Sequence, residues 1–161
     1  MAGRTFGALR HISLFPYLAS LLVVILSVSC ARPLQPGVLA GDALRVENPV
    51  ARPSGAGQNS AVYFTVVNPT GSDDRLVSVT GDVAAAIELH ETLNDNGVMR
   101  MTPHPEGFVV PSGSVLDLKP GGKHVMLLNL RQEARLGQEI VLILTFAEAG
   151  EMQVTFPVMN K

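Results

Sequence analysis

Tryptophan is absent from this chain, and cysteine occurs once, as Cys30. One cysteine excludes an intrachain disulfide, a thiolate metal cluster and a CxxC redox pair. An electron-transfer copper centre also needs a Cys thiolate, and Cys30 lies ahead of the segment that reads as folded. Charge is scarce too: charged residues make up 16%, the formal net charge is −2, and no long basic run occurs. Together with an aromatic content of 5%, this leaves neither the electrostatic footprint nor the stacking surface of a nucleic-acid binder. No His pair stands at the spacing of a catalytic zinc site, and no G-x-S-x-G nucleophile motif appears, so no enzymatic activity is expected. Sustained helical periodicity and internal repeats are missing as well.

Acidic residues are missing from the first 41 positions, where Arg4 and Arg10 precede an apolar stretch running from Ile12 to Val28. That layout is a secretory signal. With Pro16 inside it, it is a poor match to the about 20 apolar residues of a spanning helix, although an uncleaved signal anchor remains open. Two cleavage readings stand. Ser29-Cys30-Ala31 carries small residues where a standard signal peptidase reads. Leu26-Ser27-Val28-Ser29-Cys30 is a loose lipobox, with Leu26 one place from its usual position, ending in a lipid-accepting cysteine. Residues 1–29 are therefore expected to be a signal peptide, of lipoprotein type if Cys30 is the acceptor. Residues 30–42, rich in Pro, Gly and Ala, are expected to be a linker, and residues 43–161 the domain.

Glycine (15) and proline (11) are plentiful and punctuate the domain at short intervals. Between them lie short apolar runs of strand character. An opening strand over 43–51 is broken at Pro49 and Pro53. Residues 60–67 alternate, with Val62, Phe64 and Val66 on one side. Further strands are expected over 75–80, 85–93, 98–102, 108–110, 115–118 and 123–130. Asn94-Asp95-Asn96-Gly97 folds 98–102 back on 85–93, because Asn and Gly tolerate positive φ. The β-branched run 138–147 is expected to be central and buried on both faces. Met152, Val154, Phe156 and Val158 share a face of the last strand. Strands at this spacing specify an all-β domain, a sandwich or a partly open barrel.

Residues 87–128 hold three of the four histidines (His90, His104, His124) and three of the six methionines (Met99, Met101, Met126). Side chains two apart on a strand share a face, so His124 pairs with Met126 and Met99 with Met101. The hairpin brings His90 near the Met99–Met101 strand, and one long-range pairing with the His124 strand would gather the set. Thioethers are soft and carry no proton to lose. With imidazoles beside them they suit Cu(I) better than Zn(II) or Mg(II), and a ligand set without carboxylate or thiolate stays neutral before the metal arrives. Each residue also has a plainer role, Met as core filler and His as a surface or hydrogen-bonded residue. Residue chemistry alone leaves these two readings balanced.

The spacing resembles that of the periplasmic copper chaperone family PCuAC, described by a His, ten residues, a Met, about twenty-one residues and His-x-Met. Here ten residues separate His90 from Met101 and twenty-two separate Met101 from His124-Val125-Met126. The Glu88-Leu89-His90 run, GVMRM, LKPGGKHVMLL and the closing AGEMQVTFPV are similar to the family over residues 46–158. The longer second gap, the absence of extra Met after His90 and the missing His/Met-rich tail are departures. The last of these implies no second, Cu(II)-type site.

The resemblance implies a cupredoxin-like antiparallel β-sandwich that binds one Cu(I) near its surface through His90, Met101, His124 and Met126. Met99 would be a reserve ligand or a cover, and His104 an exposed loop residue. It further implies an exported copper chaperone, extracytoplasmic and monomeric, touching a membrane only through a lipid on Cys30. Its partners would be a copper-receiving protein such as a cytochrome oxidase subunit or a Sco-type chaperone. The competing expectation is a structural or adhesive extracytoplasmic lipoprotein whose methionines fill a core.

Overall fold

The computed structural model describes residues 42–160. The expected signal peptide, the Cys30 anchor and all but the end of the linker lie outside the described residues. Ten strands and no helix occur among those described: β1 Arg45–Ala51, β2 Ser60–Asn68, β3 Asp74–Thr80, β4 Ala84–Asp95, β5 Val98–Pro103, β6 Phe108–Val110, β7 Ser114–Leu118, β8 Lys123–Leu130, β9 Glu139–Phe146 and β10 Gly150–Pro157. They form two antiparallel sheets. The larger runs β1-β2-β8-β4-β5, with β7 also on β2, and the smaller runs β10-β9-β3-β6. β8 takes β2 at Ser60–Val62 and β7 takes it at Phe64–Asn68, so β2 is paired along its length.

The core lies between the sheets because alternation turns one face of each inward. Val62, Phe64 and Val66 of β2 face it, as the sequence pattern requires, and Phe64 meets Phe156 of β10 edge-on at a ring distance of 5.5 Å. Burying such large apolar side chains contributes about 1.5–3 kcal/mol each. Asn68 is buried among them and survives there by hydrogen bonding: its Nδ2 donates to the carbonyls of Ser72 and Val110, at 3.0 and 2.8 Å.

Two expectations need correction. β9 is central in its sheet but is not buried on both faces. Ile140, Leu142, Leu144 and Phe146 face the core, whereas Val141 and Ile143 are 48% and 36% exposed. A β-branched run reports strand preference, and a two-layer sandwich leaves each sheet one solvent face. The opening strand is not broken at Pro49. β1 runs through it by a bulge between Glu47 and Val50, with Asn48 at φ 52°, and a bulge tolerates a residue without an N–H. β6 and β7, three residues apart, belong to different sheets, so residues 111–113 form a corner between layers.

Two turns next to the candidate residues depend on glycine. At the β4–β5 tip, Asp95 pairs with Val98 around Asn96 (φ 51°) and Gly97 (φ 88°), and Asn94 Oδ1 accepts from the Gly97 amide at 2.7 Å. That is the geometry of a two-residue primed hairpin. Gly107 (φ 76°) has a second constraint: a Cβ there would lie 2.2 Å from the Leu76 carbonyl oxygen. Nothing crowds Gly97. Gly97→Ala is therefore expected to cost about 1–2 kcal/mol from backbone strain alone. Gly107→Ala adds a backbone clash and should cost more. Urea denaturation of both variants checks the order, and equal losses would contradict it.

Candidate metal centre

β4, β5 and β8 lie side by side, and their register decides what meets. His90 stands directly opposite His124, Glu88 opposite Met126, and Thr92 opposite Met101. With a side-chain period of two, Glu88, His90, Thr92, Met99, Met101, His124 and Met126 all share the outward face of the larger sheet. The alternate residues Leu89, Val125 and Leu127 point into the core. The four residues expected as ligands are thus brought to one face, away from the core.

Their exposure is graded. His124 is 4% exposed, Met126 and His90 are partly buried, and Met101 and Met99 are 59% and 57% exposed. Methionines that open to solvent are not core filler. His124 owes its burial to a small apolar cluster on the same face, Val50, Ala61 and Tyr63, with the Tyr63 ring 6.4 Å from its own. An open concavity is lined by Met101, His124, Met126, Thr92, Tyr63 and Arg52, among others. His90 stands beside it rather than on its wall, with its ring centre 5.9 Å from that of His124 and the planes at 60°. Two imidazoles sharing one ion at a metal–nitrogen distance of about 2 Å hold their ring centres roughly 5–6 Å apart.

The hydrogen bonds at the two rings suit a metal. His124 Nδ1–H donates to the Gly122 carbonyl at 2.9 Å, leaving Nε2 with its lone pair. His90 Nε2–H donates to Glu88 Oε2 at 2.8 Å, and its Nδ1 is buried without a partner. An unsatisfied buried polar atom costs about 1–3 kcal/mol, a penalty that ligation would remove. No group of three or more His, Cys, Asp or Glu able to hold an ion occurs among the described residues. What the face offers is therefore a mixed imidazole–thioether set of soft, neutral donors. The Glu88 carboxylate borders this set without belonging to the expected ligands. Strand alternation had put Glu88 on the face of His90, so the signal was available in the sequence.

His104 is not a free loop histidine. Its Nε2 lies 3.0 Å from Glu91 Oε2 and its Nδ1 3.1 Å from Glu106 Oε1, so both nitrogens are engaged by carboxylates. Met99 pairs with Asn94 near the hairpin tip, two residues beyond Met101. Behind the candidate ligands, on the opposite face of the sheet, Glu91 also takes Lys123 Nζ at 2.8 Å. Glu91 and Lys123 are the direct cross-strand neighbours of the His90–His124 pair, so this ion pair holds the two histidine-bearing strands in register.

The Lys123 hydrogen bond, opposed by partial burial and helped by the Lys123 and His104 charges, keeps the Glu91 carboxyl below its ordinary pKa. A lowered folded-state pKa contributes stability that is complete above the ordinary glutamate value of about 4.3 and is lost as pH falls through the lowered value. Glu91→Gln should therefore lower stability near neutral pH by about 1 kcal/mol or less, with the difference from the parent vanishing in acid below the lowered value. Urea denaturation at neutral and at acid pH measures it. A loss that persists in acid would mean that charge is not what Glu91 contributes.

A family model described as "Putative lipoprotein LpqE-like" matches residues 44–158. The "Putative lipoprotein Lxx21020" of Leifsonia xyli subsp. xyli is 36% identical over 120 residues, covering 74% of this chain and 71% of that protein. The protein RP573 of Rickettsia prowazekii is 32% identical over 122 residues, 73% and 67% of the two chains. Among solved structures, the copper-bound PCuAC domain from PmoF2 superposes with a TM-score of 0.61 at 24% identity, covering 73% of this chain and 93% of that domain. The Cu(I) form of DR1885 from Deinococcus radiodurans superposes with a TM-score of 0.59 at 25% identity, covering 76% and 84%. The chain belongs to the LpqE-like family, and its domain has the cupredoxin-like β-sandwich fold of PCuAC domains.

Proposed function

We propose that this protein is an extracytoplasmic copper carrier that binds one Cu(I) through His90, Met101, His124 and Met126 and passes it to other proteins. The observation that carries the proposal is the register that sets His90 opposite His124 on a solvent-facing sheet, with Met126 and Met101 flanking them. Two imidazoles and two thioethers favour a soft monovalent ion. The copper-bound PmoF2 domain and the Cu(I) form of DR1885 share the fold, which supports copper as the cargo. The lipoprotein description of the family supports export, with Cys30 as the lipid acceptor. The recipients we propose are a cytochrome oxidase subunit or a Sco-type chaperone, with the carrier acting as a monomer and without a catalytic step.

Graded exposure suggests a route for handover. Met101 lies on the edge strand β5 and is more than half exposed, whereas His124 is buried. A thioether binds through one atom and leaves without a proton. An incoming ligand would displace Met101 first and the imidazoles last, so the ion need never be released to water. Met99, on the same edge and equally open, can serve as a transient ligand on the way out.

Titration with Cu(I) against a competing chelator tests the reading. One ion per chain is expected, and Met101→Ala or His124→Ala should each weaken binding by more than about tenfold, since even outer-shell losses at metal sites are worth 10–100-fold. If the double variant competes as well as the parent, the protein is no carrier and a structural or adhesive lipoprotein is the better description. A second expectation concerns acid. Protons compete with the metal for imidazole lone pairs, so the apparent affinity should be lower in acid than at neutral pH. A site made of thioethers alone would hold its affinity in acid.

A further inference from the structure

We infer that the two histidines meet copper through different ring nitrogens, His90 through Nδ1 and His124 through Nε2, and that Glu88, itself no ligand, is the positioning residue that sets this arrangement. The inference rests on the copper reading above and adds to it an atom-level assignment and one further residue.

Hydrogen-bond donors and acceptors fix the protons. A backbone carbonyl can only accept, so the 2.9 Å contact between His124 Nδ1 and the Gly122 oxygen puts a proton on Nδ1 and frees Nε2. An ionised carboxylate likewise only accepts. The 2.8 Å contact between Glu88 Oε2 and His90 Nε2 therefore puts the proton on Nε2 and leaves the lone pair on Nδ1. That Nδ1 is the single buried side-chain nitrogen or oxygen without a hydrogen-bond partner among the described residues. Ligation at Nε2 would require breaking the Glu88 bond and would still leave Nδ1 unsatisfied. Ligation at Nδ1 keeps the one and satisfies the other.

Local structure places each support beside its ring. Glu88 and His90 are two apart on β4 and project together, with Met126 directly across from Glu88. The Gly122 carbonyl belongs to a tight turn closed by its own amide donating to the Lys119 carbonyl at 3.1 Å. Glu88 thus does for His90, with a side chain, what the turn does for His124 with backbone. A metal-bound His that donates its other N–H to a carboxylate or carbonyl is held in one tautomer and one orientation. Glu88 remains substantially exposed, so its charge keeps much of its hydration.

Nitrogen-15 NMR of the metal-free domain at about pH 8, where free imidazole is neutral, reads the tautomers directly. His90 is expected protonated on Nε2 and His124 on Nδ1. In Glu88→Ala, His90 should shift to a mixture of tautomers while His124 stays unchanged. Glu88→Gln, whose amide oxygen can still accept, should restore the Nε2–H form. Cu(I) affinity should fall about 10–100-fold in the Ala variant and largely recover in the Gln variant. On loading the native domain with Cu(I), the nitrogens that shift should be Nδ1 of His90 and Nε2 of His124. Metal at Nε2 of His90 would overturn the assignment, and a His90 tautomer indifferent to Glu88→Ala would remove Glu88 from it. A native domain that binds no Cu(I) sinks the carrier reading and the ligation assignment together, while the metal-free tautomers judge the role of Glu88 separately.

Discussion

The pairing of β4 with β8 is the constraint on which the rest depends. It sets His90 against His124 on the outward face and Glu91 against Lys123 on the face behind. A slip of one residue would turn every side chain to the other side. A slipped β4 would put Leu89 into water and drive the His90 imidazole into the core, and a slipped β8 would do the same to Val125 and His124. Because that cost is borne by the whole core, the register is enforced by packing remote from the histidines, and the Glu91–Lys123 pair reinforces it locally.

A sheet with one buried and one wet face gives such a site its character. The inward residues of β8 and β4 make a rigid floor, and the outward ones are free to be chosen for chemistry. Around them the structure grades access: Tyr63 and its small cluster shield His124, while the edge strand leaves Met101 open. The proposed carrier would have to hold its ion firmly and still give it up, and a buried imidazole beside an exposed thioether would meet both needs on one sheet. The hairpin tip adds reach, since among the described residues β5 pairs only with β4, and it carries Met99 and Met101 on its outward side.

Most of the strands were legible, because alternation and Gly/Pro turns are local signals. Asn96-Gly97 marked the hairpin, and 108–110 and 123–130 coincide with β6 and β8. Legibility ended where a neighbour decides. The wet face of β9 follows from its place in a two-layer sandwich, and the separation of β6 from β7 from which sheet each could join. His104 looked like an exposed loop residue because Glu91 meets it only after β4 and the β5–β6 turn come together, while Glu106 engages it from within that turn.

By itself, the sequence determined the strand period, the hairpin and hence which residues share a face. Through its spacing it also determined the resemblance from which His90, Met101, His124 and Met126 were named. These are properties of neighbours along the chain, where a two-residue repeat and a turn dipeptide act alone. Tertiary structure decided the rest: that His90 and His124 stand directly opposed, that Glu88 holds one ring nitrogen and leaves the other unpartnered, and that Met101 opens to solvent while His124 does not. Register, side-chain orientation and exposure belong to contacts between residues distant in sequence, and a long-range pairing comes into being only when the core closes around it.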